Sequence, residues 1–163
     1  MKNIAAIQKK ILNLSQAQHI IAAERVYGHT IAFTNGCFDI LHDGHIYSLS
    51  QAAAEADLLI VGVNADSSVK KLKGDSRPIN NEQSRALVLA SLEIVDIVII
   101  FDEDTPLNLI TGLSPDVLVK GGDYTTETVV GAKEVLAKGG RVVINKLLDG
   151  FSTTALIERI KKA

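Results

Sequence analysis

The strongest constraint in this sequence is an alternation. Short runs rich in Val, Ile and Leu, at Thr30–Thr34, Leu58–Val63, Asp96–Phe101, Val117–Lys120 and Arg141–Ile144, are separated by stretches of helical character. Runs that are apolar throughout suit strands covered on both faces. Strands that alternate with helices are the pattern of parallel βαβ units. The sequence therefore predicts an α/β fold with a doubly wound sheet. Helices are expected at about Gly44–Ala56, Asn81–Leu92, Pro106–Gly112 and Thr128–Ala137, with a last one from near Ser152 to the end. Pro106 suits a first helical turn, and Gly139–Gly140 suits a helix stop. Ahead of the first strand, Ile4, Ile7, Ile11 and Leu14 follow helical spacing. Ser15 is a candidate cap for a second helix that carries Ile20, Ile21 and Val26 and ends at Gly28.

A chain of 163 residues is the size of one domain. The expected architecture is a single Rossmann-like unit over 1–163, with about five parallel strands and flanking helices. Within it, 1–28 form amino-terminal helices and 30–163 form the α/β core. The 17 basic and 19 acidic residues leave a net charge of −2. That balance excludes a broad basic face for nucleic acid, and 4% aromatic residues exclude a surface that stacks successive bases. No apolar run approaches the ~18 residues of a membrane helix. The amino terminus lacks the apolar core and cleavage site of a secretion signal. The single cysteine, Cys37, rules out an internal disulfide and suits a reducing compartment. A cytoplasmic protein with no nucleic-acid or membrane partner is expected.

Doubly wound sheets bind ligands outside the carboxyl ends of their strands, so the segments after each strand carry the chemistry. After the first comes Thr34-Asn35-Gly36-Cys37-Phe38-Asp39-Ile40-Leu41-His42-Asp43-Gly44-His45. Gly36 lets backbone approach a ligand closely. Gly44 stands at a helix start, where free N–H groups and the helix dipole favour an anion. His42 and His45 are three residues apart and share one face of a helical turn. Two imidazoles there make a compact donor cluster for phosphate oxygens. Two alternatives stand beside that reading: unrelated surface histidines, and a metal site of Cys37, His42 and His45, whose spacing matches no usual zinc pattern. The segment Asn64–Asn80 has no clear period and is expected to be a long polar loop. Its cations, Lys70, Lys73 and Arg77 among them, are placed to close over a polyphosphate. After the fourth strand, Gly121 and Gly122 offer backbone to a base or ribose, and Asp123 offers an acceptor for ribose hydroxyls. At the last helix start, Ser152 is a candidate N-cap, and Ser152, Thr153 and Thr154 suit a phosphate.

The His-x-Gly-His element after a first strand resembles the nucleotidyltransferase superfamily of cytidylyltransferases, pantetheine-phosphate adenylyltransferase and class I aminoacyl-tRNA synthetases. Over about residues 16–162 the resemblance narrows. Thr34–Asp39, Leu72–Pro78, Glu103–Pro106, Val119–Tyr124 and Asp149–Thr154 occur in this order, and together they are similar to the heptose 1-phosphate adenylyltransferases in their free-standing form. The resemblance implies AMP transfer from ATP to a heptose 1-phosphate, Mg²⁺ carried with the ATP phosphates, and a homodimer. It implies catalytic roles for His42, His45 and Lys73. It implies nucleotide contacts from Asn35, Gly36, Cys37, Phe38, Gly44, Arg85, Gly121, Gly122, Asp123, Ser152, Thr153 and Thr154, with Arg85 reaching a β- or γ-phosphate. Asp39, as an orienting or indirect metal group, and Lys70 are assigned to the substrate side. Asp43 departs from the neutral residue usual between His42 and Gly44; a carboxylate there is expected to raise the imidazole pKa values and keep both rings protonated. The competing readings are a CTP-dependent cytidylyltransferase acting on glycerol 3-phosphate or a related polyol phosphate, and a nucleotide-binding module without catalysis.

Overall fold

A computed structural model describes residues 3–122, 124–146, 148 and 150–162. Five strands, β1 (Ile31–Gly36), β2 (Leu58–Asn64), β3 (Ile97–Phe101), β4 (Val117–Gly121) and β5 (Arg141–Asn145), form one sheet in the order β3-β2-β1-β4-β5. Every pairing is parallel. The chain steps outward from β1 to β3, then returns to lay β4 on the other side of β1. The β1/β4 boundary is therefore the switch point, where the strand ends part and leave a crevice. All strands but β3 run one or two residues past their apolar runs, so Asn35, Gly36 and Gly121 are strand ends rather than loop.

Alternate side chains of each strand enter opposite cores. On one side, Ile31, Phe33, Ile60, Ile99 and Leu118 pack with Ala17 and Ile21 of α2 (Leu14–Val26), with Leu109, Ile110 and Leu113 of α6 (Leu107–Leu113), and with Val135 of α7 (Ala132–Ala137). On the other, Ala32, Leu59, Val61, Val98 and Val119 pack with Leu49 and Ala52 of α3 (Asp43–Ala53) and with Ala86, Leu89 and Ala90 of α5 (Glu82–Ala90). The sheet is covered on both faces, which is why its strands read as continuous apolar runs.

Four local expectations change. The first apolar series does not make one helix. A short α1 (Ile4–Gln8) ends, and residues 10–12 turn along β3, with Val98 N–H donating to Lys10 O and Leu12 N–H to Val98 O. Asn13, not Ser15, caps α2: its side chain accepts from the Gln16 N–H while the Gln16 side chain accepts from its own N–H, a reciprocal capping box. The polar segment after β2 is not a loop. It forms α4 (Asp66–Lys73), held by the buried Val69 and by Asn64 Nδ2 donating to Ser68 Oγ at 3.1 Å, and it stops at Gly74 with φ +92°. α7 starts at Ala132 rather than Thr128, because a Thr125–Thr128 turn and the left-handed Gly131 (φ +85°) occupy the ground before it. The last helix, α8 (Thr153–Lys162), follows its expected start.

Candidate active site

A pocket of about 340 Å³ lies at the switch point. Asn35, Gly36, Cys37 and Phe38 form one wall where β1 ends, and Gly121 forms another where β4 ends. The start of α3 supplies His42, Gly44, His45 and Ser48; the start of α8 supplies Ser152 and Thr153. Segments from both ends of the sequence thus meet at one sheet edge, as the strand-end argument predicts.

The histidines form its centre. Their rings stack with centroids 3.9 Å apart and planes 29° from parallel. Phe38 flanks His45 at 5.5 Å and Phe151 flanks His42 at 6.3 Å. His42 occupies the N-cap position of α3, and its carbonyl accepts from the His45 N–H at 2.8 Å. Gly44 between them is a steric requirement. A Cβ there would lie 3.0 Å from Phe151 Cβ and 3.1 Å from the His42 ring. Nδ1 of each ring is buried without a protein partner. Thr153 Oγ1 lies 3.4 Å from His42 Nε2, tying α8 to α3.

The expectation that Asp43 keeps both rings charged is overturned. Desolvation lowers the His42 pKa, and the Asp43 charge opposes it without prevailing. Burial and the neighbouring His42 together bring His45 to about 4. The pair is therefore neutral near pH 7 in the free protein, and both residues line the pocket.

Two assignments are corrected by burial. Arg85 is 2% exposed and does not face the pocket. Its Nε donates to Asn80 O, Nη1 to Cys37 O at 2.6 Å, and Nη2 to Asp66 Oδ1 at 2.7 Å. It fastens the β1–α3 loop to α4 and α5 and has no reach to a phosphate. Asp39, buried and off the pocket wall, takes the orienting role of its two expected ones. Its carboxylate accepts from Arg77 Nε at 2.6 Å and from the N–H groups of Ile79 and Asn80. Burial alone would raise its pKa, but these donors outweigh it and hold the carboxyl below the usual range.

Lys73 and Lys70 sit exposed on the last turns of α4 and do not line the pocket. Lys73 is nevertheless near it: after burial, which raises the Cys37 thiol pKa, its charge has the largest opposing effect. A thiol pushed upward is a poor nucleophile, so Cys37 serves as wall. Gly122 (φ +113°) turns the chain after β4 and donates to Asn145 O at 3.1 Å rather than lining the pocket. Ser152 Oγ accepts from the Ala155 N–H at 3.0 Å, the predicted cap, while Thr154 is exposed and off the wall. Asp123 and Asp149 lie outside the described residues. Among the described residues no three His, Cys, Asp or Glu side chains group as a metal site requires, so Cys37, His42 and His45 are not a ligand set.

Sequence reasoning gave no role to Ser48, nor to Lys120, Tyr124 and Phe151 within the motifs that contain them, yet all four line the pocket. Lys120 had a signal: it is the lone charge ending an otherwise apolar run.

The comparisons agree with this geometry. A family model described as cytidylyltransferase-like matches residues 33–159. The bifunctional protein HldE of Caulobacter vibrioides is 59% identical over 151 residues, covering 93% of this chain and 31% of that protein. HldE of Rhodospirillum rubrum is 54% identical over 159 residues, covering 98% and 32%. The chain thus spans about a third of the length of these relatives. Among solved structures, the lipopolysaccharide core biosynthesis protein of Thermoplasma volcanium superposes with a TM-score of 0.58 at 28% identity, over 74% of this chain and 98% of that one. The pantoate-beta-alanine ligase of Francisella tularensis gives a TM-score of 0.60 at 17% identity, over 93% and 76%, a likeness of fold alone. With the matched family spanning both halves of the pocket, from the end of β1 to α8, the chain belongs to the cytidylyltransferase-like family of nucleotidyltransferases.

Proposed function

We propose that the protein transfers AMP from ATP to D-glycero-β-D-manno-heptose 1-phosphate, releasing pyrophosphate and ADP-heptose. The observation that carries the reaction class is the stacked His42–His45 pair at the start of α3, which lines the pocket with both Nδ1 atoms free of protein partners. The HldE relatives and the heptose-type motifs support the substrate. A phosphate oxygen of the sugar attacks the α-phosphorus in line. A new P–O bond forms as the bond to the α,β-bridging oxygen breaks, and the pair leaves with pyrophosphate. No covalent enzyme intermediate is needed, because such transfers depend on positioning and charge stabilisation.

His42 and His45 donate N–H groups to phosphate oxygens as negative charge builds in the transition state. The backbone of Asn35–Phe38 and the free N–H groups at Gly44 and after Ser152 hold the remaining oxygens. Lys73, with Lys70 one turn behind, closes over the phosphates from α4. Mg²⁺, bound with the nucleotide, supplies charge neutralisation on the phosphates. When bound with the nucleotide it would be held by phosphate oxygens and water. The same reading makes the enzyme cytoplasmic and homodimeric.

Pyrophosphate release with Mg²⁺, crossing ATP and CTP against heptose 1-phosphate and glycerol 3-phosphate, tests it. Release confined to ATP with the heptose is the expected result. Release confined to CTP with glycerol 3-phosphate overturns the substrate and keeps the reaction class. Silence in all four with intact ATP binding overturns both acceptors and calls for other sugar phosphates before the non-catalytic reading is taken.

A further inference from the structure

Two cavities meet at Lys120. One is the pocket already described. The other, about 90 Å³, lies between Pro106 after β3 and Thr128–Val130 after β4. Asn35, Lys120 and Tyr124 wall both.

Lys120 is an unusual group for such a place. Its Nζ donates to Asn35 Oδ1 at 3.1 Å and lies 5.5 Å from the Tyr124 ring centre. Among the described residues no carboxylate lies within ion-pair distance of it. An ammonium carries three donors, and one is used among the described residues. Desolvation pulls its pKa down, the sign of a cation stripped of water. A charge held this way is unfavourable unless a ligand brings the opposite one.

The nucleotide already has the histidine pair and the starts of α3 and α8 for its phosphates. In-line displacement places the attacking and leaving oxygens on opposite sides of the α-phosphorus. The acceptor therefore cannot share the donors of the departing pyrophosphate and needs a cation of its own. Among the described residues the smaller cavity is lined by no other charged side chain, which suits an uncharged body and not a second polyphosphate.

We propose that Lys120 grips the acceptor's phosphate where the two cavities meet, with the acceptor's uncharged body in the smaller cavity against Tyr124. This rests on the reading of the main pocket as a nucleotidyl-transfer site.

The test is Lys120→Met beside Lys120→Arg. In Lys120→Met the acceptor KM rises by about tenfold to a hundredfold, the range of a lost charge-assisted hydrogen bond. The Kd for ATP by calorimetry stays within about twofold, and Tm holds or rises because a desolvated cation has been removed. Lys120→Arg, which keeps the charge, recovers part of the acceptor KM. An acceptor KM unchanged in Lys120→Met, or a loss that falls on ATP instead, overturns the assignment while leaving the proposed reaction intact. Turnover of glycerol 3-phosphate in place of the heptose overturns the proposed substrate, and the Lys120 effect is then read on that acceptor. If the wild type turns over neither, binding of heptose 1-phosphate in the presence of a non-hydrolysable ATP analogue is measured. Loss of that binding in Lys120→Met supports the assignment, and absence of binding to the wild type overturns it together with the substrate.

Discussion

His45 couples the site to pH through its surroundings. The unfolded chain takes up its proton near the ordinary value of 6.5, while the folded protein resists until about 4. A lowered histidine pKa means the unfolded state binds more protons in that window. Stability is therefore intact above it and falls as pH drops through it. His45→Gln removes the titrating group, and its Tm-against-pH curve is expected to be flatter than wild type between those values; equal slopes would contradict the assignment. Catalysis gives the complementary measurement. His42→Ala or His45→Ala should lower kcat by about 10²–10³, the range for removing one preorganised donor, while ATP affinity changes little. A kcat near wild type would remove the residue from the proposed role. Arg85 makes the opposite prediction. Arg85→Met takes the buried guanidinium away from Cys37 O, Asn80 O and the partly exposed Asp66, and hydrogen bonds to a charged group are worth about 1.5–3 kcal/mol each. Tm should drop sharply, and the residual enzyme should keep its ATP affinity. The histidine pair was legible from sequence because its spacing and its glycine are local. Arg85 and Asp39 were not, because their partners lie far along the chain, Cys37 for the arginine and residues 77–80 for the aspartate, and only folding brings them together.

Elements show the same division. The strands were legible because burial on both faces leaves an unbroken apolar signature. α4 was not, because it buries only Ser68 and Val69 and its other apolar residue, Leu72, is exposed, so two apolar positions in a polar segment are all that mark it. The consequence falls on Lys73, which is carried by a helix end near the pocket rather than by a free loop. At the start of α3 the element and the site are one object. Gly44→Ala raises helix propensity yet puts a methyl 3.0 Å from Phe151 and 3.1 Å from the His42 ring. Tm should change by only a few degrees, while kcat should fall by about tenfold or more as His42 is displaced. A Gly44→Ala enzyme with wild-type kcat would show that the ring's placement does not depend on this contact.

At the scale of the whole molecule, the site is assembled from distant stretches of chain by the sheet order. His42 and Thr153, 111 residues apart in sequence, meet because β1 and β4 part at the switch point and α8 returns over α3. α8 buries none of its residues, so the core does not depend on it. Its work is to bring Phe151, Ser152 and Thr153 against the histidines. A chain ending at Gly150 should therefore stay folded, with Tm lowered by only a few degrees. It should lose most of the stabilisation that bound ATP confers. That stabilisation follows RT ln(1 + [L]/Kd), about 2.7 kcal/mol at a hundredfold excess over Kd, so a tenfold weaker Kd removes roughly half of it. Thermal unfolding of the full and shortened chains, each with and without ATP and Mg²⁺, separates the two quantities. If the shortened chain shows the full nucleotide-induced rise, α8 is not part of the binding site. If it unfolds without nucleotide, the helix supports the core more than its exposure indicates.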